Sequence, residues 1–230
     1  MPDSPRFAGR ISDWILYKDK QLLVFNKPAG LPVQPDKTGD QSLLGVAGAY
    51  ARHDVYPAHR LDRPVSGVVV LGKKPSAQAA LTRQFKAGKV GKQYLAIVGE
   101  RPAEDEATLT HYLRNGKGNK SLVSEELVEN SRESVLSYRY LASSDNYHLL
   151  LVELKTGRKH QIRAQLAHIG SPIYGDVKYG SRRAAPDRAL GLHGYRIQYV
   201  HPTSEQRMEH VAPVPDSPLW ASFADTIKSI

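Results

Sequence analysis

Gly67–Leu71 is an unbroken apolar run of strand length, and the β-branched stretch Ser66–Leu71 predicts a strand buried on both faces. Upstream, Trp14–Lys18 and Gln21–Asn26 flank Asp19-Lys20, the pattern of two strands joined by a tight turn. Ser42–Ala51 predicts a short helix with Ser42 or Asp40 as its cap. Ser76–Lys89 predicts a longer one. Ala77, Ala80, Leu81 and Phe85 keep helical spacing, Ser76 can cap it and Gly88 can close it.

Tyr94, Ala96 and Val98 alternate, so Lys92–Val98 predicts a strand, and Thr108–Leu113 another. Ser134–Leu141 and Tyr147–Leu154 form a hairpin pattern around Ser143–Asn146. Ile162, Leu166 and Ile169 set a buried stripe on a helix expected from Arg158 to Ile169. Residues 171–190 read as loop-rich and basic, either a functional surface or a mobile segment, Leu192–Tyr199 and Arg207–Val211 as late strands, and Pro218–Ile230 as a terminal helix. Strands outnumber helices without regular alternation. That predicts an α+β fold: a mixed, largely antiparallel sheet with flanking helices. Residues 1–10 read as a loose arm, and 11–230 as a single catalytic domain.

Charge narrows the class. Thirty-two Lys and Arg against twenty-three Asp and Glu give a net charge of +9, and twelve tyrosines accompany it. Such a chain suits a polyanion, nucleic acid first. It has no cysteine, which excludes disulfides, thiolate catalysis and Cys-based metal centres. No apolar run approaches membrane-span length and the opening MPDSPRFAGR has no signal core, so a cytoplasmic protein without membrane contact is expected. Gly67–Lys73 has the spacing of a phosphate-binding loop. However, strand formers fill it, and Lys74 stands where Ser or Thr would hold magnesium. His160 and His168 diverge by roughly 80° on a helix of ~3.6 residues per turn, so no metal site is expected from them.

Three segments carry candidate chemistry. In His59-Arg60-Leu61-Asp62-Arg63-Pro64 a carboxylate lies between two guanidiniums, which favour its ionised form. An ionised Asp62 can act as nucleophile or base, or simply close an Asx turn braced by local ion pairs. Tyr94 in Lys92-Gln93-Tyr94 can stack on a base and move a proton, or serve as a half-buried sheet residue. Thr156–Arg163 places Arg158 and Lys159 at the start of the expected helix, where cations oppose the helix dipole and an anion would be welcome. Arg163 borders the buried stripe and can reach inward to a carboxylate.

Together these segments resemble the RluA-type family of RNA pseudouridine synthases over nearly the whole chain. The resemblance rests on Asn26–Leu31, His59–Asp62 with Ser66-Gly67, Lys92-x-Tyr94-x-Ala96, Thr156–Arg158 with His160–Arg163, Gly175-Asp176 and Leu192-His193. It implies a cofactor-independent isomerase acting on uridine in rRNA or tRNA, expected to be a monomer. Asp62 would be the essential carboxylate, attacking C1′, attacking C6 or assisting glycal formation. Tyr94 would stack on the base, Arg163 would pair with the aspartate, and Arg60 would help fill the gap left by the flipped uridine. His59, Lys92, Arg158, Lys159, His160 and Gln161 are expected to contact RNA. No S4-like extension is expected, so recognition would fall to the catalytic domain. Gln34, Gln165 and Gly194 depart from the family pattern, the last standing where Ala is common. Two readings from other classes remain: a silent RNA-binding protein on the same fold, and a glycosidase or nuclease using Asp62.

Overall fold

The computed structural model describes residues 10–230, so the arm expected at 1–10 lies, apart from Arg10, outside the described residues. A 3₁₀ turn at Ile11–Trp14 leads into strands β1 (Ile15–Lys18) and β2 (Leu22–Lys27), helix α1 (Leu43–Ala51), strands β3 (Tyr56–Pro57) and β4 (Ser66–Gly72), and helix α2 (Pro75–Lys86). Strands β5 (Gly91–Val98), β6 (Glu106–Asn115), β7 (Ser121–Ser124), β8 (Arg132–Ser143) and β9 (His148–Leu154) follow, then helix α3 (Gln161–His168). Strands β10 (Leu192–Val200) and β11 (Arg207–Val211) precede two short helices, α4 (Pro218–Ala221) and α5 (Ala224–Lys228). The expected class is observed: α+β, largely antiparallel, with flanking helices. Among the described residues no helix is long and apolar enough to cross a membrane.

The described residues fall into two compact units. The first comprises residues 10–91 with Gly194–Pro215, and the second Lys92–His193 with Asp216–Ile230.

In the first unit the strand order is β1-β2-β4-β10, with β3 on β4 and β11 on β10. The turn after β1 forms because the Asp19 carboxylate accepts from the backbone N–H groups of Gln21 (2.7 Å) and Leu22 (2.6 Å). All seven residues of β4 are buried, as its unbroken apolar run predicts. Val24, Val68, Val70, Leu81, Ile197 and Tyr199 belong to the core beside it. Ser42 caps α1 as expected, accepting from Gly45 N–H at 3.2 Å. The start of α2 differs from expectation. Lys74, not Ser76, is its N-cap, without a side-chain bond, because Pro75 is already pre-set for the first helical position. A missing cap costs about 1 kcal/mol. Full burial of Leu81 returns about 2 kcal/mol, so packing holds this helix.

Gly67 on β4 has φ +119°, and a Cβ built there would lie 2.4 Å from the backbone of Gly194 on β10. The two main chains touch with no room for a side chain. Gly67→Ala is expected to destabilise the fold by at least about 2 kcal/mol, from backbone strain and overpacking together. Urea unfolding checks this; an unchanged midpoint would contradict it.

In the second unit the order is β5-β9-β8-β6-β7, and all four pairings are antiparallel. The expected hairpin is β8–β9, closed by Ser144 N–H to the Tyr147 carbonyl at 2.8 Å. Three expectations are corrected. Residues 171–190 are not a loose surface. Tyr174 N–H reaches the Ile97 carbonyl (2.8 Å), and Ile97 N–H reaches the Gly191 carbonyl (2.6 Å), so this segment is laced to β5. Ile173, Ala185 and Leu190 are buried beneath it. Helix α3 starts at Gln161 rather than Arg158, because His160 takes a left-handed conformation (φ +52°). The terminal helix breaks at Phe223, whose backbone leaves helical geometry as it and Trp220 both turn inward.

Candidate active site

The first unit carries Asp62 on the turn ahead of β4. Val65 N–H donates to the Asp62 carbonyl at 3.0 Å and closes that turn, while Leu61 is buried and Asp62 itself half-buried. The flanking guanidiniums divide in a way the sequence did not reveal. Arg63 turns back to an acidic loop: it bonds the Gly30 carbonyl (2.9 Å), pairs with Asp36 (3.3 Å) and makes its closest ion pair with Asp40. It braces the turn and is not the counter-ion of Asp62. Arg60 is exposed and has no ion pair among the described residues. His59 accepts a hydrogen bond from Val70 N–H (3.0 Å) and stacks on Phe85 at 4.8 Å, so its ring helps fasten the loop to β4 and α2.

Lys27, passed over in the sequence, supplies the buried cation. Its side chain is 0% exposed, and Nζ donates to the carbonyls of Pro28 (2.9 Å), Leu31 (2.8 Å) and Arg63 (3.3 Å). One ammonium thus ties the Lys27–Leu31 loop to the Asp62 turn. Burial pushes its pKa down to about 7, with the Asp62 charge holding it up and Arg63 adding to the fall. Its sequence signal was its place in the Asn26–Leu31 motif, a lysine just after the apolar run Leu22–Phe25.

Lys27→Met removes three hydrogen bonds from a charged donor and is expected to lower stability by roughly 2–4 kcal/mol. The sign with pH follows from linkage. Between pH 7 and the ordinary value of 10.5, the unfolded chain keeps a proton that the folded chain has released. The penalty for burying the charge is full below pH 7 and fades as pH rises. The stability advantage of wild type over Lys27→Met should therefore grow from pH 7 to about pH 9. Denaturant titrations at several pH values measure it, and a flat or shrinking difference would refute this account.

The second unit carries Tyr94 and Arg163. Tyr94 lies on β5 opposite Val152 of β9, half-buried. Lys92, two residues earlier, donates to the Thr156 carbonyl at 3.4 Å, and burial lowers its pKa. Arg163 is buried on α3. Its Nε and Nη2 grip Asp176 with two parallel bonds of 2.6 and 2.9 Å. The Tyr179 ring lies 5.1 Å from the guanidinium carbon. Asp176 is therefore a positioning residue: it sets the direction of the Arg163 guanidinium. Sequence reading gave it only as part of a motif. An acidic residue thirteen positions after an arginine carries no local sign of their pairing.

The turn before α3 is built by Gln161, which is 2% exposed. Its side-chain oxygen accepts from Thr156 Oγ1 (2.8 Å) and Arg158 N–H (2.9 Å), and its nitrogen donates to the Val135 carbonyl (3.1 Å). The Gln161 amide, expected at the RNA, is bonded within the protein to the Thr156 hydroxyl and to the Arg158 and Val135 backbone. His160 Nδ1 meets Tyr179 Oη at 2.9 Å, and that oxygen accepts from Ser121 N–H at 2.6 Å. Arg158 and Lys159 are exposed, with Arg158 Nε on the Glu133 carbonyl (3.1 Å) and Lys159 Nζ on Asn119. They belong to the turn just ahead of the helix cap at His160 and not to the helix itself.

His111, Glu125 and His168 come within 4.8 Å of one another. Glu125 Oε1 bonds His168 Nε2 at 2.6 Å and lies 3.5 Å from His111 Nε2. The buried Gln165 nitrogen faces the Leu109 and Ser134 carbonyls and lies 3.0 Å from His111 Nδ1. Glu125 thus bridges the two imidazoles.

Comparison with known proteins agrees with this chemistry. A family model described as RNA pseudouridylate synthase matches residues 21–168, more than half the chain. An uncharacterised RNA pseudouridine synthase of Chloroflexus aurantiacus is 36% identical over 200 residues, covering 83% of this chain and 62% of that protein. One from Mycoplasma pneumoniae is 34% identical over 198 residues, covering 84% and 64%. The ribosomal large subunit pseudouridine synthase D of Xanthomonas campestris is 32% identical over 223 residues, covering 88% and 66%. The chain thus spans about two-thirds of the length of these curated relatives. A solved structure of human RNA pseudouridylate synthase domain containing 4 shares the fold, with TM-score 0.74 and 23% identity over 95% of this chain and 94% of that one.

Proposed function

The chain belongs to the RNA pseudouridylate synthase family, whose members isomerise uridine to pseudouridine in RNA, and from that premise we propose that it does so in rRNA or tRNA with Asp62 as the indispensable carboxylate. The supporting observation is the setting of Asp62: half-buried on a turn pinned from beneath by the Lys27 ammonium. The carboxylate and the buried ammonium attract each other, which holds the Lys27 pKa up against burial. A carboxylate so placed can serve as nucleophile or base.

The reaction breaks the N1–C1′ bond, turns the base and rejoins it through C5. The first step is attack of Asp62 on C1′, its attack on C6, or its help in removing the C2′ proton. Tyr94 presents a ring for stacking and a phenol for proton movement. Arg163, aimed by Asp176, supplies a fixed positive charge. Arg60, exposed and without an ion pair among the described residues, fits the role of filling the gap left by the extruded nucleotide. Extrusion costs a few kcal/mol of stacking, and a guanidinium inserted into the stack offsets part of it.

The test is to incubate the purified chain with rRNA and tRNA transcripts and map pseudouridine at nucleotide resolution. New pseudouridine at defined positions in one class supports the reading. None in either class, or release of free uracil, refutes it.

A further inference from the structure

On the second unit the end of the β6–β7 hairpin, the turn leading into β8 and the turn before α3 enclose an open cleft of about 490 Å³. Arg114, Arg132, Arg158 and Lys159 line it, with Asn115 and Asn130 between them. The wall carries four cations, no carboxylate and no aromatic ring. Across the β6–β8 ladder Leu113 faces Arg132, which brings Arg114 alongside.

No carboxylate in the wall pairs with these charges, while Glu129 shares an adjoining hollow with Arg114 and Asn130. Arg158 and Lys159 spend their bonds on a carbonyl and an amide oxygen, and none of the four makes an ion pair among the described residues. Residues 107–123 add Lys117 and Lys120 and contain no acidic side chain. Four like charges converging on one hollow repel one another and cost stability. An anion filling the hollow turns that cost into affinity.

We propose that this cleft binds the sugar–phosphate backbone of the substrate RNA, with Arg114 and Arg132 as phosphate contacts beyond those expected at Arg158 and Lys159. The inference rests on the isomerase reading above. Asn115 and Asn130 offer neutral donors and acceptors suited to phosphate oxygens and 2′-hydroxyls. With no aromatic ring in the wall, the contacts we infer fall on phosphate and sugar rather than on stacked bases. The cleft then acts on affinity rather than on the chemical step.

The test is the double variant Arg114→Gln/Arg132→Gln, assayed by filter binding and by turnover on a structured substrate RNA. The expected result is a KM raised about tenfold with kcat unchanged, and a slope of log affinity against log salt smaller by about 2, one unit per lost phosphate contact. Arg114→Lys/Arg132→Lys keeps both charges and should recover most of the affinity. Arg139→Gln, exposed elsewhere on β8, should change neither KM nor slope. The proposal is overturned if KM and slope stay at wild-type values, if only kcat falls, or if Arg139→Gln loses as much as the double variant. Filter binding needs no turnover. A wild-type chain that binds RNA through the cleft yet makes no pseudouridine would therefore sink the isomerase reading and leave the cleft standing.

Discussion

Asp62→Asn is expected to lower pseudouridine formation by ~10³-fold or more, with RNA affinity retained. Asn has nearly the shape of Asp, and the bond that closes this turn is made by the Asp62 backbone carbonyl, so the loop should keep its form. What disappears is the negative charge: an amide can neither attack carbon nor take a proton at neutral pH. Removing one negative charge from a surface that receives a polyanion does not weaken binding. The exchange also has a sign at Lys27. The Asp62 charge holds that ammonium up against burial, so the variant's Lys27 should lose its proton at a lower pH than in wild type. Single-turnover assays on a mapped substrate, beside filter binding, separate the outcomes. A variant that isomerises at the wild-type rate would remove Asp62 from the chemistry. Loss of binding along with turnover would point to a collapsed loop.

Asp176→Ala is expected to cost about 3–5 kcal/mol of stability, the usual penalty for removing one partner of a buried ion pair. Asp176 is 1% exposed, and both its oxygens serve Arg163. Without it the guanidinium loses the two bonds that aim it from this side. Turnover should fall by ~10²-fold even well below the melting temperature, since misplacement by an ångström has consequences of that size. A second variant tells scaffold from function. Replacing both Arg163 and Asp176 by Met exchanges a buried pair for apolar side chains and should restore most of the stability. Turnover should remain lost, because no cation is present. Recovery of both in the Met pair would show the pair to be packing alone.

Much of the scaffold was legible in the sequence where one physical signal dominated. The unbroken run of β4, the helical spacing within α2 and the two runs of the β8–β9 hairpin each mark an element that forms nearly as expected. The departures have two causes: a deciding partner far along the chain, or a single backbone conformation that no side-chain pattern marks. Residues 171–190 look loose because their backbone partners sit on β5. The start of α3 was set too early because nothing local shows that His160 takes a left-handed backbone. In the candidate site, Asp62, Tyr94 and Arg163 carry chemical types that stand out in a short motif. Lys27 and Asp176 work through groups 36 and 13 residues away, so adjacency in sequence gave no sign of them. The same blindness assigned Arg63 to its neighbour Asp62, when its carboxylates belong to the 36–40 loop.

The main-chain contact at Gly67 constrains its two members unequally. A methyl group at 194 would meet Leu61 and the Val68 nitrogen at 3.5 Å or more, ordinary separations, and Gly194 has no left-handed backbone to preserve. Lineages diverging from this chain can therefore exchange glycine for alanine at 194 in one step, in either direction. Position 67 offers no such freedom: every alternative adds a carbon where another main chain already lies. Natural variation should accumulate on one side of this seam and be absent from the other.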